Sequence, residues 1–124
     1  DAAADLGDSA ITETSGLGGF AMAASPAITQ FVGGSPADAL LQSRNMRNIT
    51  IGTNSQFTLP ALDFAPTAAG IDVRKVVDTN ILPVVNTGIA HKEAGVGQIG
   101  AGITSAPLDV FVQTITPLHK SVIY

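Results

Sequence analysis

The sequence predicts an α/β or α+β fold, with helices packed on a small sheet that carries a glycine-rich loop. Three observations carry that expectation. A strong helix start at Ser35–Asp38 precedes an apolar stripe, a second amphipathic segment opens at Gly70–Asp72, and a β-branched run from Ile81 to Ala90 follows it directly. A helix followed by an apolar strand is the repeating unit of α/β architecture. The length, 124 residues, allows one domain, expected over 16–124 behind an acidic linker or domain junction at 1–15.

The elements follow in order. The first dozen residues are Ala-rich and acidic, and Gly16–Gly19 interrupts the pattern. Phe20 to Phe31 reads as an apolar helix, with Pro26 as a kink or a fresh first position after Ser25, and Gly33-Gly34 ends it. Ser35-Pro36-Ala37-Asp38 then supplies a capping Ser, a Pro at the first helical position and an acid at the positive end of the dipole. This helix is expected to run to about Ile51, with Leu40, Leu41 and Met46 in its apolar stripe, Arg44 and Arg47 in its last half, and Gly52 as its stop. Gln56 to Leu59 looks like a short extended segment before Pro60.

Asp72 caps the next helix, whose inner face is Val73, Val76 and Val77 and whose end falls near Thr79-Asn80. Ile81 to Ala90 has the composition of a buried strand, with Pro83 near its start or at an edge. The segment beyond Pro107 fits either state. Val110, Val112, Thr114, Ile115 and Thr116 favour a strand, whereas Ser105, Pro107 and Asp109 suit a helix start.

Composition excludes several function classes. Hydrophobic residues make up 45% of the chain and charged residues only 13%, about half the usual share, with a mean hydropathy of +0.34. Intrinsic disorder is therefore excluded. A net charge of -4 leaves no basic patch for nucleic acid. Asp1, Asp5, Asp8 and Glu13 account for the whole acidic excess, so the chain from Thr14 onward is neutral and resembles an interior piece of something larger. There is no cysteine, and two distant histidines with scattered carboxylates give no metal-ligand spacing. The start at Asp1 shows no signal-peptide pattern and reads as a cut or processed end. The uncharged stretch Thr14–Ala37 is broken by glycines and Pro26, which argues against a membrane span.

Gly95-Val96-Gly97-Gln98-Ile99-Gly100 has the letters of the dinucleotide fingerprint, but its context does not fit. His91-Lys92-Glu93-Ala94 precedes it instead of a strand end, Pro107 follows closely, and no acid stands about 20 residues on to hold a ribose. No cofactor is expected. What remains is a run whose glycines, Gly95, Gly97, Gly100 and Gly102, can present bare N–H groups to an anion, or equally pack as a strand or turn against another backbone. Asn86, Thr87, His91, Lys92, Glu93 and Gln98 place amide, hydroxyl, imidazole, ammonium and carboxylate groups beside it. In that setting His91 is a candidate proton shuttle or polarising donor, and Lys92 an anion clamp. A structural histidine and a solvated lysine are the plainer readings of each residue alone. Asp72 and Arg74-Lys75 form a second candidate cluster, for which a capped helix with solvated bases is the simpler account. No nucleophile-elbow motif accompanies either histidine.

Three segments carry a family resemblance: Gly18–Gly34 (GGFAMAASPAITQFVGG), Gly70–Val77 (GIDVRKVV) and, most specifically, Leu82–Gly102 (LPVVNTGIAHKEAGVGQIGAG). They resemble the C-terminal region of the bacterial YlbE/AllG/YahG family, usually found beside FdrA-type proteins. The likeness covers roughly Glu13 to Gln113. Members of that family are several times longer, so the resemblance implies one part of a larger multidomain protein. Its AllG branch implies an oxamate carbamoyltransferase subunit of anaerobic allantoin use and purine degradation. Such a subunit works in the cytoplasm with an FdrA-like protein and other subunits, and exchanges a carbamoyl group between oxalurate and phosphate. The family brings no assigned catalytic residues to these positions. A rival reading from a different class is a non-catalytic assembly domain whose glycine run is structural.

Overall fold

The structure, a computed structural model, describes the backbone of residues 1–4, 10–25, 27, 30 and 33–123, and side chains through 117. Among the described residues it has four α helices and two small antiparallel sheets, an α+β fold. Helix α1 (Ala10–Thr14) leads into 3-10 turns at Gly18–Phe20 and Met22–Ala24. Helix α2 (Pro36–Met46) continues through a 3-10 turn (Arg47–Ile49) into strand β1 (Thr50–Leu59), which pairs with β2 (Ala65–Ile71). Helix α3 (Val73–Thr79), strands β3 (Val85–Ala90) and β4 (Gln98–Thr104) and helix α4 (Leu108–Ile123) complete the order. Each strand pairs with its neighbour in sequence, because the connections after Leu59 and Ala90 are too short for a parallel crossover. Asp5 and Asp8, and most of the predicted apolar helix beyond Ser25, including Pro26 and Phe31, lie outside the described residues.

Helix α2 begins where the sequence places it. Ser35 Oγ accepts the N–H of Asp38 (3.2 Å), and Asp38 Oδ2 accepts both the N–H and the hydroxyl of Ser35 (2.8 Å each). This reciprocal pair is a capping box, and Pro36 adds a preset φ at the first position. These bonds from Ser35, the hydroxyl first and then the backbone N–H, hold the exposed Asp38 carboxyl below the ordinary carboxylate range. The helix ends at Met46, five residues before the expected Ile51. The β-branched run Ile49-Thr50-Ile51 favours extended backbone, Thr50 pairs with Ile71, and the Thr50 hydroxyl caps Met46 O at 3.0 Å. Strand β1 is accordingly longer than the short segment expected at Gln56–Leu59. Its polar middle pairs with β2, with a register shift between Asn54 and Thr58.

Asp72 caps α3 through the N–H of Arg74 (2.9 Å), and Asn80, in the left-handed region at φ 58°, closes it by donating to Val76 O. Of the expected inner face, Val76 is fully buried, and Val73 and Val77 are half-buried. The core gathers Phe20, Met46, Ile49, Ala68 and Val76, with Ile81, Leu82, Val84, Leu108 and Phe111 packed against it. The run after Asn80 is thus only partly a strand: Ile81, Leu82 and Val84 pack against the core outside any strand, and pairing begins at Val85. The segment after Pro107 is a helix that packs on α3. There the hydroxyls of Thr114 and Thr116 bond the carbonyls four residues back, at 2.7 and 2.8 Å. Two bases bond backbone carbonyls rather than acids: Arg47 reaches Pro66 O in β2, and Lys75 Nζ of α3 reaches Thr50 O in β1 at 2.8 Å.

The joint between the N-terminal segment and the second sheet rests on Glu13, which is 1% exposed. Its Oε1 accepts the N–H of Gly19 and the N–H of Asn86, both at 3.0 Å. Glycine is required at position 19, because a Cβ there would collide with the carbonyl of Val84. Gly19→Ala is therefore expected to cost about 2 kcal/mol or more in chemical denaturation, since a backbone carbonyl cannot rotate out of the way. Glu13→Ala leaves two buried N–H groups unpaired and is expected to lose about 2–4 kcal/mol, with Glu13→Gln losing less because it keeps an acceptor at the Oε1 position.

The capping box gives a pH-dependent prediction. A carboxyl whose folded pKa is depressed contributes stability that is present above its unfolded value and lost as pH falls through the folded one. Ser35→Ala is expected to raise the Asp38 pKa toward the ordinary carboxylate value and to remove that part of the acid-limb dependence, read by NMR titration of the Asp38 carboxyl carbon. An unmoved titration would contradict the capping geometry.

Candidate functional site

Strands β3 and β4 form a hairpin in the register Val85↔Thr104, Asn86↔Ile103, Thr87↔Gly102, Gly88↔Ala101, Ile89↔Gly100 and Ala90↔Gln98. Ile99 is the extra residue at a register shift near the turn. Because side chains alternate along a strand, Val85, Thr87 and Ile89 share one face, where their partners Gly100 and Gly102 have no side chains. Asn86 lies on the other face. Its N–H is held by Glu13, and its side-chain amide approaches Met22 Sδ at 3.9 Å.

The turn between the strands holds five of the twelve candidate residues, with Gln98 directly after it. His91 N–H donates to Gly97 O (2.9 Å), Val96 N–H to Glu93 O (3.5 Å), and Glu93 N–H to His91 Nδ1 (3.0 Å). Gly95 and Gly97 adopt φ of 85° and 87°, a conformation that disfavours side chains. Among the described residues, the N–H groups of Ala94, Gly95 and Gly97 make none of the turn's hydrogen bonds. His91 Nδ1 is occupied as an acceptor, so any contact of the ring with a ligand falls to Nε2.

The first residues of the chain brace this turn. Ala3 N–H donates to Ala90 O (2.8 Å), Lys92 N–H donates to Asp1 O (2.9 Å), and Ala2 bridges His91 in antiparallel fashion. Lys92 Nζ lies 3.9 Å from Asp1 Oδ1, and both side chains are largely exposed. Such a pair is weak and screened by salt. With Glu93 also at the turn, one side-chain ammonium stands among two carboxylates. An anion would be attracted by directed hydrogen bonds rather than by net charge.

The candidate residues thus fall into four places: the turn, β4, β3 and the start of α3. His91, Lys92, Glu93, Gly95, Gly97 and Gln98 stand at or beside the turn, while Gly100 and Gly102 lie within β4. Gln98 Nε2 donates to Gly100 O at 2.9 Å, so this amide serves the strand. Thr87 and Asn86 are four and five residues before His91, a separation of roughly 13–17 Å along an extended strand. No single small anion spans that distance. Asp72 and Arg74 belong to the start of α3, where the carboxylate serves the helix cap and lies 3.8 Å from Arg74 Nε. Strand, turn and strand replace the strand, turn and helix of a dinucleotide site.

Sequence reasoning missed Glu13 as a residue of consequence for this region. A local signal existed: a lone acid followed within six residues by Gly16, Gly18 and Gly19, whose bare backbone can admit a carboxylate. Among the described residues no group of three His, Asp or Glu side chains could hold a metal ion, and no helix is long and apolar enough to cross a membrane.

No family model matches the chain. It is 53% identical over 115 residues to the uncharacterised protein YahG of Escherichia coli (strain K12), which covers 93% of this chain and 24% of YahG. It is 52% identical over 118 residues to the oxamate carbamoyltransferase subunit AllG of the same organism, covering 94% of this chain and 28% of AllG. A crystal structure of a conserved protein of unknown function from Enterococcus faecalis V583 superposes with a TM-score of 0.88 at 55% identity, over 97% of this chain and 29% of that one. The chain therefore spans about a quarter of the length of the relatives it matches and is part of a larger protein. Such identity across nearly the whole chain is homology, and the chain belongs to the family of YahG and AllG.

Proposed function

We propose that residues 1–124 form a domain of an oxamate carbamoyltransferase-type subunit, and that the turn of the β3–β4 hairpin contributes a small-anion contact to its site. The supporting observation is the turn itself: uncommitted N–H groups at Ala94, Gly95 and Gly97 stand beside His91 and Lys92, in a chain 52% identical to AllG over 118 residues. Carbamoyl exchange between oxalurate and phosphate requires a phosphate oxygen to attack the ureido carbon. The C–N bond then breaks, giving carbamoyl phosphate, and the proton from phosphate passes to the leaving nitrogen of oxamate. Backbone N–H groups and the Lys92 ammonium suit the developing oxyanion or the phosphate. His91, whose Nδ1 accepts the Glu93 N–H and whose Nε2 therefore carries the ring hydrogen, suits a polarising donor to the ureido carbonyl. The phosphate proton reaches the leaving nitrogen directly or through water. The domain supplies only part of such a site, and the remainder of the polypeptide and an FdrA-like subunit, in the cytoplasm, supply the rest.

A second reading is an assembly domain whose turn is structural. It is favoured by the exposure of Lys92, Glu93, Gly95, Val96 and Gly97 and by the absence of a net positive side-chain charge around them. The two readings separate on binding. In the full-length assembly, phosphate, oxamate and carbamoyl phosphate at about 100 times Kd should each stabilise the native state by about 2.7 kcal/mol. His91→Ala and Lys92→Ala should lower turnover or anion affinity by about tenfold or more, the loss of one charge-assisted hydrogen bond. Unchanged kinetics and no thermal shift would leave the assembly reading.

A further inference from the structure

The outer side of β4 is an unpaired sheet edge. The hairpin sheet has only two strands, and among the described residues no other strand meets β4. A two-stranded sheet is marginal in water by itself, and an open edge offers a row of N–H and C=O groups to any extended chain. On the opposite side, the sheet has already begun to grow, because Asp1–Ala3 bonds along the end of β3.

The character of β4 distinguishes it from the other long edge in the molecule. Strand β1 carries the polar run Thr53-Asn54-Ser55-Gln56 and a register shift. The Asn54 side chain there bonds Ser15 O (2.8 Å) and the Gln56 N–H (3.1 Å). Polar side chains of this kind discourage edge pairing. The register shift does not separate the two edges, because β4 has its own at Ile99, where Gln98 Nε2 also bonds Gly100 O. Strand β4 reads Gln-Ile-Gly-Ala-Gly-Ile-Thr, with no charge and no proline. Ile99 is 48% exposed within it, and Val96 is 53% exposed beside it. Gly100 and Gly102 add no side chains to β4 itself, although Ile89 of the paired strand lies 3.5 Å from where a Cβ at Gly100 would stand.

We propose that the outer edge of β4 receives an extended segment from the rest of the full-length polypeptide, which pairs with Gln98–Thr104 as a further strand of the hairpin sheet. The length of chain outside these residues identifies the occupant. The homologues are so much longer that this region is 24–29% of them, and a tethered segment competes at an effective concentration in the millimolar range. A second copy or a separate subunit must supply the same pairing from bulk solution. The inference does not depend on the turn binding an anion.

The test uses full-length protein. Hydrogen exchange should show the amides of both edges of β4 slowed at least 100-fold relative to Ala94–Gly97, with protection unchanged on dilution. In a mixture of isotopically light and heavy protein, Ile99→benzoylphenylalanine should cross-link within one chain to a peptide outside residues 1–124. Cross-links between light and heavy chains, or to another subunit, would overturn the proposal. So would outward-facing amides of β4 that exchange as fast as the turn.

Discussion

The arrangement of the second sheet depends on one buried carboxylate. Glu13 accepts from Gly19 and from Asn86 through a single oxygen, and so fixes the root of β3 to the segment that begins the folded chain. Two features make that contact possible. The bare Cα of Gly19 lets the Val84 carbonyl lie against it, and the core residues Phe20 and Val84 anchor the two backbones on either side. Glu13 Oε2 is buried with no hydrogen-bond partner among the described residues, so the two bonds at Oε1 carry the compensation for burying this side chain at 1% exposure, and they are available in one placement of the hairpin.

Legibility of the sequence followed the range of each interaction. The start of α2 and both ends of α3 were readable because Ser35, Asp38, Asp72 and Asn80 act on backbone groups within a few residues. The turn cluster was readable for the same reason, since His91, Lys92, Glu93 and Gly95 are nearly consecutive. By contrast, Glu13 and Asn86 are 73 residues apart, and nothing local at either announces the other. The extent of β1 was hidden because its middle is polar, as befits a strand at an edge, so hydrophobic alternation did not mark it. The segment after Pro107 was undecided because its β-branched residues oppose its helix start. Packing of Leu108 and Phe111 on the core, together with hydroxyl bonds back to the helix, decides the matter.

The glycine run shows how one motif can serve two purposes. Gly95 and Gly97 are needed for backbone conformation in the turn, whereas Gly100 and Gly102 lie in ordinary strand and add no side chains to it. A reading that treats all four as one loop merges a conformational requirement with a steric one. The sparse charge of the chain takes on a similar double sense. Arg47 and Lys75 are directed at backbone carbonyls, which removes two of six bases from ordinary surface duty, and the uncharged β4 edge belongs to a region that is a minor fraction of its relatives' length.

Seen mechanically, the hairpin is a lever with its fulcrum at Asn86 and its load at His91. The arm is roughly 17 Å long. Rotation of about 5° at the fulcrum therefore displaces the turn by roughly 1.5 Å, and shifts of about 1 Å at a reacting group can change a rate by a hundredfold. The Glu13 bond at the root of β3 and the bonds of Asp1–Ala3 at its far end together limit how far the turn can swing.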